Sequence, residues 1–115
     1  MDEKMVDFQS LEAFTGGDKD LMIIHISTFL DFAPAQLEQI KSMVRDKNWP
    51  ETRNTAHKLK PKLTYMGIKS VIPLVETIES SAENETNLDQ LPGLVAEVES
   101  KVQLAIEELK NFMNG

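Results

Sequence analysis

The apolar positions of this chain repeat at the spacing of helices and nowhere at the spacing of strands. Towards the C-terminus Leu91, Val95, Val98, Val102, Ala105, Leu109 and Phe112 recur in alternating steps of four and three, the seam with which antiparallel helices pack. Upstream, Val71, Leu74, Val75 and Ile78 predict a helix near residues 70–82. Thr52, Ala56, Leu59, Leu63 and Met66 share one face of a helix that starts at Asn48-Trp49-Pro50 and reaches about Tyr65, with proline tolerated in its first turn. A longer helix over residues 19–46 has Asp18 as its N-cap and Pro34 as a kink near its middle. Residues 8–14 read as a short first helix stopped by Gly16-Gly17. Gly67 breaks the third helix, and residues 83–87 read as a loop in which Asn87 caps the last one. No sustained period-two alternation and no Asn-Gly or Asp-Gly turn between β-branched runs is present.

Four main helices on short loops, each apolar on one face, predict an all-α fold. The expected form is an antiparallel up-and-down four-helix bundle with a short extra N-terminal helix, one domain over residues 1–115. The second helix departs from the simple pattern. Leu21, Ile24, Thr28 and Phe32 form one face, and Ile23, Ile26 and Leu30 lie nearly opposite. A segment apolar all round is either buried on both sides or carries a binding patch; the first short helix is expected to cover the second face. Met22, Met43 and Met66 read as core filler, and Trp49 beside Pro50 as an anchor at the helix junction.

Composition narrows the function. At 115 residues the chain supports a core without staples. With no cysteine it has no disulfide framework and no thiolate chemistry. The net charge of −7 argues against a general nucleic-acid or anionic-membrane binder. Two histidines and no cysteine leave a zinc site without its usual ligands, so no metal is expected. The start Met1-Asp2-Glu3-Lys4 lacks the basic and apolar segments of a secretory leader, and no run approaches a bilayer span. A cytoplasmic, monomeric domain is the expectation.

Charge is unevenly spread. Arg53, Lys58, Lys60, Lys62 and Lys69 account for five of the twelve basic residues, and the window from Thr52 to Lys69 contains no acid. His57 lies in that island, roughly 140° around the helix from the centre of the apolar stripe, so burial does not hold it. Lys60 is the cation best placed beside the imidazole. On geometry alone, an ordinary surface histidine among solvated lysines is the simpler account. His25 shares the face of Leu21, Ile24 and Thr28, where a packed, hydrogen-bonded histidine is the expectation.

What shifts the weighing is a pattern. Ala56-His57-Lys58-Leu59-Lys60, with Gly67 ten residues after the histidine, resembles the histidine-containing phosphotransfer (HPt) domain, whose motif runs roughly His-x-Leu-Lys-Gly and then a Gly leading into the next helix. Leu11-Glu12-Ala13-Phe14-Thr15-Gly16-Gly17-Asp18 is similar to that family's entry into its second helix. Phe29-Leu30-Asp31-Phe32-Ala33-Pro34 with Leu37 resembles its proline-containing segment, and Asn48-Trp49 its approach to the histidine helix. The match in order and spacing covers residues 8 to about 80, with core motif 52–69. One departure stands out: Pro61 occupies the position of the Gly after the Lys, and Lys62 that of a small residue. Proline there removes the hydrogen bond to the His57 carbonyl. Being compact, it leaves the far imidazole nitrogen open.

The resemblance implies that His57 accepts a phosphoryl group from a receiver-domain aspartyl-phosphate and passes it to another receiver. It implies Lys60 as the phosphate-stabilising cation, with Arg53, Lys58, Pro61 and Lys62 as candidates for phosphate or receiver docking. Partners would be response-regulator receiver domains and a hybrid histidine kinase, docking against the second and third helices; Mg²⁺ would belong to the receiver, and this chain would need no cofactor. No Gly-rich phosphate loop or kinase motif is present, so no autokinase activity is expected, and a freestanding phosphocarrier rather than an enzyme is the leading reading. A degenerate bundle that binds receivers or another partner without carrying phosphate is the alternative. A third reading, His57 as general acid or base of a small enzyme, is disfavoured because no carboxylate lies within one helical turn to orient it.

Overall fold

A computed structural model describes residues 4–114; the first three residues of the acidic start lie outside the described residues. The described chain is all-helical: α1 (Phe8–Thr15), α2 (Lys19–Arg45), α3 (Trp49–Tyr65), α4 (Ile72–Asn84) and α5 (Leu91–Asn114), with single 3-10 turns at Lys69–Val71 and Leu88–Gln90. Helix α2 packs on α3 and α5, and α4 packs on the same two. The bundle is therefore a closed ring of four helices, with α1 laid across α2 and α3. None of the described helices is long and apolar enough to cross a membrane.

Side-chain caps fix where helices begin. Asp7 accepts from the backbone N–H groups of Gln9 and Ser10, Asp18 from Leu21, and Asn48 from Glu51, each satisfying donors that a first turn leaves free. Asn87 does not cap as the sequence suggested. It adopts a left-handed conformation with no side-chain cap bond, and its carbonyl instead accepts from Gln90 N–H to close the second 3-10 turn. The α3 to α4 connection is tighter than expected too: Gly67 takes φ +72°, and a 3-10 turn precedes α4.

The predicted stripes form the core. Thr52, Ala56, Leu59, Leu63 and Met66 are buried, as are Val75 and Ile78 of α4 and Leu91, Val95, Val98, Val102, Ala105 and Leu109 of α5. Ile106 joins them, and Phe112 ends the seam half-buried, stacked on Phe8 at 5.1 Å. The second apolar face of α2 is covered by α5 rather than by α1. Ser27 lies 3.8 Å from Met113 Sδ, and Lys41 makes an ion pair of 3.2 Å with Glu99, so α5 runs antiparallel along the Ile23, Ile26 and Leu30 side. Helix α1 meets the other face, where the Phe14 ring lies edge-on to His25 at 4.9 Å. No hydrogen-bond partner meets the His25 imidazole among the described residues; the ring is packed against Phe14 rather than bonded.

A strap precedes α1. The N–H groups of Met5 and Val6 both donate to the Glu108 carboxylate (2.7 and 2.9 Å), Asp7 N–H donates to the Gly67 carbonyl (2.9 Å), and Lys69 pairs with Asp7 at 3.2 Å. The strap thus ties α5 to the turn that ends the histidine helix. A Cβ on Gly67 would collide with the Asp7 carbonyl, so glycine is required there by conformation and by contact.

Candidate functional site

Helix α3 runs unbroken through Pro61, whose exposed ring leaves the missing hydrogen bond on the solvent-facing side of the helix. Relative to His57, Arg53 and Lys60 lie roughly 40–60° to one side of the helix axis, while Pro61, Lys58 and Lys62 lie roughly 40–140° to the other. This phase divides the basic island. Arg53, His57 and Lys60 face α4; Lys58, Pro61 and Lys62 face solvent and α2.

On the α4 side the antiparallel register sets Glu83 opposite Arg53, Glu79 opposite His57 and Glu76 opposite Lys60. Arg53 Nε lies 3.9 Å from Glu83. His57 Nδ1 lies 2.7 Å from Glu79 Oε2, and Lys60 Nζ lies 2.8 Å from the other oxygen of that carboxylate and 3.9 Å from Glu76. Glu79 is the most enclosed member, its side chain 13% exposed against 58% for His57. A carboxylate taken that far out of water needs donors on both oxygens, and His57 and Lys60 supply them.

The charges respond accordingly. Burial pushes the Glu79 carboxyl up, but hydrogen bonds from Lys60 and His57, with their charges, outweigh it and hold the group below its ordinary value. The hydrogen bond to Glu79 is the main cause of the Lys60 ammonium being held above its own, against a smaller desolvation penalty. Both stay ionised at neutral pH. An ionised carboxylate only accepts, so the proton in the His57–Glu79 bond belongs to Nδ1, and in the neutral ring Nε2 carries the free lone pair.

Glu79 is the site residue that local sequence reasoning misses. The objection that no carboxylate orients His57 holds within α3 and fails across the α3–α4 hairpin. Its signal is in the sequence: Arg53, His57 and Lys60 step by four and three, and Glu76, Glu79 and Glu83 by three and four, mirror spacings that antiparallel helices bring face to face.

The free flank has a different character. Tyr65, two turns and about 12 Å along α3 from His57, stacks on Phe14 at 4.3 Å with ring planes 10° apart. Phe14, Leu21, Ile24 and Tyr65 are all exposed, Ile24 by 59%. A shallow cavity of about 110 Å³ opens among Phe14, His25, Thr28, Phe32, Lys62 and Tyr65. Lys62 Nζ stands 5.4 Å from the centre of the Phe32 ring, an arrangement favoured by the ring quadrupole. Part of the face predicted on α2 is therefore an uncovered apolar surface beside the histidine helix, rimmed by Lys62. No group of His, Asp and Glu suited to a metal ion occurs among the described residues.

Among solved structures, the histidine-containing phosphotransfer protein B (HptB) from Pseudomonas aeruginosa PAO1 has a similar fold, with a TM-score of 0.87 over 96% of this chain and 95% of that one. Sequence identity is 19%, so the likeness is one of architecture. No curated protein matches the chain. The model of the Hpt domain family matches residues 26–112, from within α2 through nearly all of α5, and so reaches the last helix, beyond the residues 8 to about 80 that match in order and spacing. With more than half its length so matched, a surface histidine on α3 and the four-helix ring around it, this chain belongs to the Hpt domain family.

Proposed function

We propose that the protein is a phosphorelay intermediate that carries a phosphoryl group on Nε2 of His57. One observation carries the reading. The imidazole stands on the open face of α3 with Nδ1 engaged by Glu79, which leaves Nε2 as its free nucleophilic atom. In acceptance, the Nε2 lone pair attacks the phosphorus of a receiver's aspartyl-phosphate. The N–P bond forms as the acyl P–O bond breaks, and that electron pair leaves with the receiver carboxylate. Donation to a second receiver is the reverse. Such transfers depend on positioning and on charge stabilisation more than on covalent chemistry by the protein, and Mg²⁺ with its acidic pocket is assigned to the receiver.

Docking follows from the division of the basic island. The α4 flank presents Glu76 and Glu83 and consumes Arg53 and Lys60. The other flank offers Lys58, Lys62, the compact Pro61 and the apolar group of Phe14, Leu21, Ile24 and Tyr65. An apolar patch with a cationic rim suits a receiver whose phosphorylation pocket is acidic, and a hybrid histidine kinase that ends in such a receiver would use the same face. The printed name of the structural relative, a phosphotransfer protein, is consistent with this role. An acid–base enzyme fits less well, because His57 stands on open surface rather than in a water-excluding cleft.

Incubation with phosphorylated receiver domains tests the reading. Acid-labile, alkali-stable label should appear on the wild-type chain and not on His57→Gln. Binding to those receivers without label on His57 would instead make the protein a non-phosphorylated receiver-binding module.

A further inference from the structure

We propose that Glu108 is a positioning residue for receiver docking that acts from a distance: by gripping the strap at Met5 and Val6 it fixes α1, and α1 supplies Phe14 as one wall of the docking face. The inference rests on the free flank of α3 being where a receiver docks, and it adds the part of the chain that builds that flank. Strap and α1 both lie before residue 26, where the match to the family model begins, so the family match assigns them no role.

Helix α1 has eight residues and buries Leu11 and Thr15 alone. A helix that short does not persist in water by its own propensity; its anchors hold it. Asp7 caps the first turn, accepting from the N–H groups of Gln9 and Ser10 and from the Ser10 hydroxyl at 3.0 Å. That cap is itself held from outside α1, by the Gly67 carbonyl and by Lys69. Just before it, the two oxygens of Glu108 each accept one of two consecutive N–H groups, at 2.7 Å from Met5 and 2.9 Å from Val6. Hydrogen bonds to a carboxylate are roughly twice as strong as neutral ones. Without Glu108 these two donors lose their acceptor beside side chains only 8% and 4% exposed, a cost relieved when the strap lifts into water.

Release of the strap reaches the docking face through Phe14, which sits in the last turn of α1. Its ring stacks on Tyr65 at 4.3 Å and meets His25 edge-on at 4.9 Å. Phe14 thereby walls one side of the cavity of about 110 Å³ that Phe32 and Lys62 border on the other. A hollow of this size takes one apolar side chain of a partner, the form of an interface anchor. Loosening α1 removes the wall and leaves Tyr65 unstacked. His57 and its glutamate partners lie on the opposite flank of α3, so docking weakens while the phosphoryl chemistry stays intact.

The test is transfer from a phosphorylated receiver to His57, followed against receiver concentration. Glu108→Ala and Phe14→Ala should each raise the half-saturating concentration on the order of 10-fold, and Glu108→Ala should leave the plateau rate unchanged. Adding Glu108→Ala to Phe14→Ala should raise it no further. Glu108→Gln keeps one acceptor oxygen; it should fall between wild type and Glu108→Ala, and it serves if the alanine variant unfolds. Hydrogen exchange in the Glu108 variants should quicken at Met5, at Val6 and across α1, with α3 unchanged. An unchanged half-saturating concentration, a fall in the plateau alone, equal Glu108→Ala penalties with and without Phe14, or faster exchange confined to the strap overturns the proposal. Absence of label on wild type with every receiver overturns the carrier reading instead. The Kd of unphosphorylated receivers for wild type and Glu108→Ala then reads the docking claim: weaker binding by the variant supports it and equal values overturn it.

Discussion

Replacing Gly67 by alanine should destabilise the bundle by about 3 kcal/mol, and the structure says where that loss arises. At φ +72° any residue with a Cβ carries a left-handed cost of about 1–2 kcal/mol. The added Cβ would also collide with the Asp7 carbonyl, so the strap must move and the 2.9 Å bond from Asp7 N–H to the Gly67 carbonyl weakens, a further ~1 kcal/mol. If the strap detaches altogether, Val6 and Met5 lose their burial at about 1.5–3 kcal/mol each. The loss then approaches the whole stability of a small domain. Gly17→Ala is the control: it has φ +80° but nothing within 4 Å of a Cβ, so it carries the conformational cost alone, about 1–2 kcal/mol. Urea unfolding of both variants, with hydrogen exchange at the Met5 and Val6 amides, separates the two contributions. Equal losses at the two positions, or a Gly67→Ala loss that leaves strap protection unchanged, would refute the close-approach argument.

Pro61→Ala restores an N–H to the His57 carbonyl in a helix that is already continuous; urea unfolding should show a gain of about 1–3 kcal/mol, with transfer from a phosphorylated receiver retained because alanine is no bulkier than proline. Acid should weaken the fold. The Glu79 carboxyl is held below its ordinary value, so its stabilisation is present above the unfolded-state value and is lost as pH falls through the folded one; Asp7, held low by the Ser10 hydroxyl and Lys69, acts with the same sign. The urea midpoint should therefore drop between about pH 6 and pH 3, and drop less in Glu79→Gln. Charge reversal separates the flanks: Lys62→Glu should slow receiver association several-fold at low salt, roughly the scale of a rim charge, and Glu83→Lys should not. Stopped-flow binding reads this, and equal slowing by both would remove the flank argument.

Local periodicity carried much of the fold because each helix buries a single stripe. The α5 seam and the Thr52-to-Met66 face could be read from steps of three and four, and helical phase put His57 on the outside before any packing was known. What escaped reading was set by partners distant in sequence. The second apolar face of α2 was expected to lie under α1 and is covered by α5 instead, since amphipathicity fixes a face and not its neighbour. Met5 and Val6 are buried by a strap of too few residues to show a period. Gly67 was legible as a helix breaker; its contact with Asp7, sixty residues away, was not. Asn87 had the composition of a cap, but the 3-10 turn that follows uses its carbonyl instead.

The basic island also reads differently once folded. Five cations in a window without acids suggest one positive surface, yet the antiparallel hairpin sets three glutamates of α4 against one side of it. Arg53 and Lys60 are matched there by Glu83 and Glu79, and what remains for a partner is a narrower flank holding Lys58 and Lys62. The same register that cancels those charges turns Nδ1 of His57 inward and Nε2 outward. Charge cancellation and orientation of the imidazole are thus one consequence of the α3–α4 pairing. A one-residue slip in that pairing would move Glu79 roughly 100° around its helix and leave His57 exposed but undirected, so the chemistry of the site depends on helix register as much as on the histidine itself.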